Sequence, residues 1–288
     1  MAQQDNLPSW DLTKFYQNPE DPAIKADIQR AKESIAEFCD KYEGNVVSLT
    51  ADELADAIAS YEHIDEICDK LGSYAYLYYC LKMNDESRSI FYQTIFETIN
   101  ELTSGLLFFE LEINDIQEQT LTKAYEASDK LKRYQPWLRD TRVFKPYQLD
   151  KQLEKCFFER NQTARSSWHR LFDETMASMQ FEYHDQKLNS SEIFDLLSDA
   201  QPDTRKDAAL SINQAFEAKK QTFTLITNVL AKDKSIEDKW RSFENPMQSR
   251  NVSNLIEDEV AQALISTVKD NYQAVSRRYY QLKKEWLG

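Results

Sequence analysis

Glycine and proline are scarce in this 288-residue chain, at 4 and 7 residues, where average usage would give roughly 20 and 14. Tight hairpins need glycine for positive φ, so an all-β or doubly wound α/β fold is excluded on composition. The same scarcity leaves no G-x-G-x-x-G and no P-loop, and with them goes phosphate cradling. Histidine is scarcer still: His63, His169 and His184 are the only three, and none stands at a spacing that holds a metal or partners a nucleophile. There is no His-Glu-x-x-His, no Glu-x-x-His and no G-x-S-x-G. No apolar run approaches 18 residues, so no membrane span is expected. The opening, Met1 to Trp10, is polar and carries Asp5, unlike a signal peptide. Cys39, Cys68, Cys80 and Cys156 form no C-x-x-C, which reads as free thiols in a cytoplasmic protein.

What is present is helix. The hydrophobic share is 41% and the aromatic share 12%, enough for a large core, since each buried aromatic removes roughly 150–250 Å² from water. The net charge of −14 repels nucleic acid and keeps the chain soluble. An arm anchored by Trp10, Leu12, Phe15 and Tyr16 leads to Asp21-Pro22, an N-cap followed by proline at the first helical position. Ile24, Ile28, Ala31, Ile35, Phe38 and Tyr42 then make one apolar face, and Gly44 is placed to end the helix. Thr50-Ala51-Asp52-Glu53 is a capping box with Leu49 and Leu54 as its hydrophobic staple. It predicts a helix to about Lys82, broken or bent near Gly72. A third starts near Asp85 with Ile90 and Ile95 on its apolar face.

The pattern is choppier from Leu121 to Gln201, where Pro136 and Pro146 interrupt it. Helices are expected over 150–160, 163–178 and 190–198, with one small hairpin near 181–189 around His184-Asp185-Gln186. The last third reads as two long helices, 203–233 and 253–286. The second carries a stripe of Ile256, Val260, Leu264, Val268, Tyr272, Val275, Tyr279, Leu282 and Trp286, which must be covered by something. The expectation is an all-α fold of long antiparallel helices with that one hairpin. The domain plan is a helical lobe over 1–118, a middle domain over 119–201 and further helices over 202–288.

Candidate chemistry is thin. His63 reads as a surface histidine, His169 with Asp173 and Glu174 as a helix-face ion pair, and His184 as a turn residue. Lys132, Arg133, Arg139, Arg142 and Lys145, interleaved with aromatics, read as an ion-pair belt rather than a nucleic-acid surface. Tyr74, Tyr76, Tyr78 and Tyr79 read first as packing and second as the lining of a ligand channel.

Several stretches together resemble the oligoendopeptidase F branch of the M3 zinc metallopeptidases. They are Trp10-Asp11-Leu12 with Phe15-Tyr16, Leu106 to Glu112, Arg142 to Leu149 with Glu154-Lys155, Trp168 to Glu174, Pro246 to Arg250 with Asn254, and Arg278 to Lys283. The segment that opens at Arg142 departs from the family at Tyr147 and Asp150, where His and Ser are expected. The resemblance implies a cytoplasmic, zinc-dependent endopeptidase of short peptides. In that family zinc sits on His-Glu-x-x-His and a later Glu, which lie beyond the position of Gly288. No catalytic or metal residue is therefore carried over, and no zinc is expected on this chain alone. The resemblance further implies an N-terminal half, a wall of the substrate channel whose partners are an oligopeptide and a C-terminal catalytic portion. Arg250 and Asn254 are the candidate channel-wall residues; their plainer reading is an ion pair and the N-cap of the last helix. A free-standing helical protein that binds peptides or a partner is the rival, and it should bury the Val260–Trp286 stripe.

Overall fold

The computed structural model describes residues 10–287, so the polar opening before Trp10 lies outside them. The described residues are helical apart from one two-stranded antiparallel sheet and short connections, as the composition requires. They form two compact units: one comprises the residues up to Gln135 with Asp150–Lys234, the other Pro136–Leu149 with the residues from Ser235 onward.

In the first unit the caps set the helices. Asp21 accepts the Ala23 N–H at 2.9 Å and Pro22 opens α1, Pro22–Tyr42. Gly44 follows at φ +79°, a conformation glycine takes without strain. Glu112 closes that turn from a distance, accepting the N–H of Gly44 at 2.8 Å and of Val46 at 3.3 Å. The Thr50 capping box is complete: Thr50 N–H donates to Glu53 at 2.9 Å and Thr50 Oγ1 accepts the Glu53 N–H at 3.4 Å. It opens α2, Ala51–Cys80. This helix runs through Gly72 without the expected break; a Cβ there would meet Ile99 of the next helix at 3.5 Å, an ordinary contact. Asp85 caps α3, Glu86–Thr103, on which Ile90 faces solvent rather than the core.

A tight turn, Ser104–Leu106, leads to α4, Leu107–Asp115. Its Phe108 and Phe109 meet Phe38 of α1 at 5.9 and 5.0 Å, the second edge-on, the arrangement ring quadrupoles favour. Tyr16 is buried and holds the leading arm, whereas Trp10, expected as an anchor, is exposed. After α5 (Glu118–Ala127) and α6 (Asp129–Arg133), and after α7 (Gln135–Arg142), which belongs to the second unit from Pro136 on, come α8, Lys151–Arg160, capped by Asp150, and α9, Ser167–Ser178. Between α8 and α9 the backbone widens into a π-type turn, Gln162–Ser166, with Ala164 off helical geometry at φ −93°, ψ −109°.

The hairpin is where the turn residues put it: β1, Phe181–Tyr183, pairs with β2, Gln186–Leu188, with Tyr183 opposite Gln186. His184 takes φ +52° at the bend. An Asn189–Glu192 capping box starts α10, Ser190–Asp195. Met179, Phe181, Ile193 and Ala208 make a second core, backed by Phe216 and Phe223. The helix expected over 203–233 is two, α11 (Pro202–Ala218) and α12 (Lys220–Trp240), interrupted at Lys219 with no glycine or proline to signal it.

In the second unit Tyr147 stacks on Phe243 at 4.2 Å. Arg241 donates to the Tyr147 carbonyl at 3.3 Å and to Glu237 at 2.9 Å. After α13 (Gln248–Ser253), the helix expected over 253–286 starts only at Asp258 and is two, α14 (Asp258–Asp270) and α15 (Arg278–Leu287), joined by a π-type turn at Tyr272–Arg277. Asn251, buried on α13, donates to Asp258 at 2.7 Å and ties α13 to the start of α14.

Candidate functional site

Within the first unit, α2 and α3 on one side and the π-type turn with α9 on the other line a half-open cavity of about 520 Å³, in the size range of small-molecule and peptide sites. Its apolar wall is Tyr76, Tyr79, Tyr92 and Phe96, and its polar side includes Arg170 and Asp173. The rings form a continuous surface. Tyr79 stacks on Tyr92 at 5.2 Å and 12°, Tyr92 lies 5.9 Å from Phe96, and Tyr76 lies 5.9 Å from Tyr92. The spacing of α2 explains the division of its tyrosines: Tyr76 and Tyr79 are three apart and share a face, whereas Tyr74 turns to Tyr16 at 5.1 Å and Tyr78 stacks on Tyr74. The expected cluster therefore splits into a packing pair and a cavity pair.

Tyr79 is 2% exposed, and its hydroxyl is buried without a hydrogen-bond partner among the described residues. Such a group is costly to leave unmatched. Burial, with the carboxylates of Glu174 and Asp173, pushes its pKa up to about 12, so it is a donor at neutral pH. Asp173 is the other unmatched group. Burial raises its carboxyl, the charge of His169 opposes that rise and the charge of Glu174 adds to it. No hydrogen bond or ion pair reaches it among the described residues. The cations of the rim, Arg165 and Arg170, have partners of their own, and the Arg170 charge also reaches Tyr92. Arg170 donates to Gln93 at 2.5 Å and lies 3.7 Å from Glu174, and Glu174 accepts from Ser89 at 3.0 Å. Arg165 donates to Nε2 of His169 at 3.5 Å. The expected His169–Asp173 ion pair is thus replaced by an arginine contact on the same helix face.

The other sequence candidates lie apart from the cavity. His63 is exposed beside Glu66 at 3.8 Å, and His184 stands 3.9 Å from Asp207. Among the described residues no group of His, Cys, Asp and Glu stands together to hold a metal. The donor chemistry does not fit zinc, which takes three or four ligands at about 2.0–2.3 Å. Arg250 and Asn254 are exposed on and just after α13 in the second unit. Asn254 ends α13 rather than starting the next helix, whose N-cap is Glu257. In the basic segment, Arg139 pairs with the adjacent Asp140 at 2.8 Å. Sequence pattern did not single out Tyr92, Phe96 or the π-type turn; Ala164 carries no residue-type signal of its kink.

The stripe of the last helices is open. Leu264 is 67% exposed, Val275 61% and Trp286 70%, and Ile256, Val260, Val268, Tyr272, Tyr279 and Leu282 are exposed with them. Apolar surface on this scale marks a site of association. Among the described residues no helix is long and apolar enough to cross a membrane.

Residues 112–181 match the family model described as oligopeptidase F, for the N-terminal domain of M3 peptidases. No curated protein matches the chain significantly. The fold is similar to that of the oligoendopeptidase F crystal structure from Enterococcus faecium, at TM-score 0.80 and 16% identity, over 92% of this chain and 51% of that one. A protein from Chlamydophila abortus, named as a peptidase, is similar at TM-score 0.54 and 16% identity, over 96% of this chain and 47% of that one. The chain spans about half the length of these structures.

Proposed function

From a chain that carries the N-terminal domain of the oligopeptidase F family on an oligoendopeptidase F fold, we propose the N-terminal, channel-wall part of a zinc-dependent oligopeptide endopeptidase. In this reading the helical lobe over 1–118, the middle domain over 119–201 and the helices over 202–288 shape the space in which a peptide is held. Zinc and the catalytic His-Glu-x-x-His belong to a C-terminal portion that acts in the cytoplasm together with this chain. Arg250 and Asn254, exposed at α13, contribute to the channel wall. Neither nucleic acid nor membrane is a partner.

The observation that carries the reading is the open stripe from Val260 to Trp286. A free-standing binding protein would cover such a surface with its own residues, whereas a lobe that packs on a catalytic portion presents it. Two measurements test the reading. The purified 288-residue chain is expected to hold no stoichiometric zinc and to show no EDTA-sensitive peptide hydrolysis; activity in the chain alone overturns the division of labour. Reading the source gene past the codon for Gly288 is expected to reach a His-Glu-x-x-His. An immediate stop overturns the peptidase reading and leaves the binding protein.

A further inference from the structure

The chain contains a filled cation site of its own. Asp27 of α1 accepts the Tyr16 hydroxyl at 2.7 Å and the Lys70 ammonium at 3.0 Å. Lys70 Nζ also lies 4.3 Å from the centre of the Tyr16 ring, inside cation–π range. The recipe is a carboxylate, a tyrosine hydroxyl, the face of that tyrosine and an alkylammonium group, with the Arg30 guanidinium as a second cation on the carboxylate.

The cavity beside α9 repeats the recipe and omits the ammonium. Asp173 supplies the carboxylate, and Tyr79 the buried hydroxyl without a partner. Tyr76, Tyr79 and Tyr92 supply the rings, and the Asp173 charge reaches all three, opposed at Tyr92 by the Arg170 charge. Among the described residues no lysine lines the cavity; of its two guanidinium groups, Arg170 is bonded to Gln93 and paired with Glu174 at 3.7 Å, and Arg165 is bonded to His169. We propose that this cavity binds an alkylammonium group, with Asp173 as counter-ion and the Tyr76 and Tyr92 rings as its cation–π walls, Tyr79 stacking behind Tyr92. At about 520 Å³ the space takes more than an ammonium: it admits a four-carbon stem and the amide groups flanking it. A lysine side chain of a peptide fits that description, and so does a free diamine. The assignment goes beyond the peptidase reading and does not depend on it, since it concerns binding to the chain itself.

The test is calorimetric titration of the full chain with Nα-acetyl-lysine amide, Nα-acetyl-norleucine amide and 1,5-diaminopentane. Saturable binding of the lysine amide is expected. The norleucine isostere should bind at least about tenfold more weakly, since it lacks the charge that the ring faces and the carboxylate attract. Asp173→Asn should weaken the lysine amide by about tenfold or more, and Tyr92→Leu should weaken it too. Tight binding of 1,5-diaminopentane supports the alkylammonium assignment and points to free diamines; its failure beside a binding lysine amide points to peptides. Asp173→Asn is isosteric and removes an unpaired half-buried charge, so its urea midpoint should match or exceed wild type. Equal affinity for lysine and norleucine amides, wild-type affinity in folded Asp173→Asn, or no saturable binding of any probe overturns the proposal.

Discussion

Replacing Asp27 with alanine is expected to destabilise the first unit by about 2–3 kcal/mol, most of it through one stranded hydroxyl. Asp27 is 4% exposed and takes three donors: the Tyr16 hydroxyl, the Lys70 ammonium and the Arg30 guanidinium. Their fates differ when the carboxylate goes. Lys70 and Arg30 keep about half their side chains in water and turn outward, so each counts as an exposed pair, worth about 0.2–1 kcal/mol. The Tyr16 hydroxyl has no such escape, and stranding it costs about 1–3 kcal/mol. The carboxylate's own desolvation is relieved, which offsets part of the total. Urea unfolding followed by far-UV circular dichroism reads the change as a shifted midpoint at constant slope. Tyr16→Phe combined with Asp27→Ala should be less damaging than the sum, because the phenylalanine leaves no hydroxyl to strand. A change below about 0.5 kcal/mol in Asp27→Ala, the range of ordinary surface substitutions, would refute the reasoning.

The same network fixes a pH dependence. Burial alone would raise the Asp27 carboxyl, but the hydrogen bonds from Tyr16 and Lys70 outweigh it and hold the group below its usual value. A carboxyl depressed in the folded state contributes stability above its unfolded value of about 3.9, and that contribution is lost as pH falls through the lower folded value. Wild type should therefore lose its advantage over Asp27→Asn below about pH 4 and keep it fully above about pH 5.

Further outcomes follow from the backbone and the surface. Thr50→Ala removes one half of the first capping box and should cost about 1 kcal/mol in the urea midpoint. Gly72→Ala should gain about 0.5–1 kcal/mol, since the added Cβ meets Ile99 at an ordinary 3.5 Å and a mid-helix glycine is lost. Leu255 stands at φ +55° where the Ile256 and Leu255 N–H groups close α13 onto Asn251 and Val252; Leu255→Gly relieves that strain and should stabilise the second unit by up to about 1 kcal/mol in calorimetry. Leu264→Glu should reduce concentration-dependent self-association in light scattering without lowering the unfolding midpoint, because its side chain is open to water.

The helix starts were legible because a cap is written within four residues. Asp21-Pro22, Thr50 to Glu53 and Asp85 each act on the backbone beside them, and no distant contact is needed to decide the outcome. The hairpin was legible for the same reason, with the turn residues His184 and Asp185 between two short segments, Phe181–Tyr183 and Gln186–Leu188. Interruptions were not. Lys219, Ala164 and the turn at Tyr272–Arg277 carry no breaker residue, so a 3.6-residue period runs through them undisturbed. Gly72 misled in the opposite sense: one mid-helix glycine costs about 1 kcal/mol, which the 30-residue α2 absorbs without interruption.

Asp27 and Asp173 show why the candidate site was the least legible part. Each lies on an amphipathic helix with an arginine three residues away, Arg30 after one and Arg170 before the other, and local pattern assigns both to solvated ion pairs. Packing separates them. Asp27 meets a tyrosine 11 residues earlier and a lysine 43 residues later, which together make its charge tolerable in the core. Asp173 meets tyrosines from 81 to 97 residues earlier, by α2 and α3, and Arg170 turns to Gln93 and Glu174 instead. A half-buried carboxylate with no hydrogen bond or ion pair among the described residues is unfavourable in the chain by itself. That deficit is also what makes the cavity selective: the free energy withheld from folding is available to a cationic ligand, and an apolar or anionic one of the same shape gains none of it.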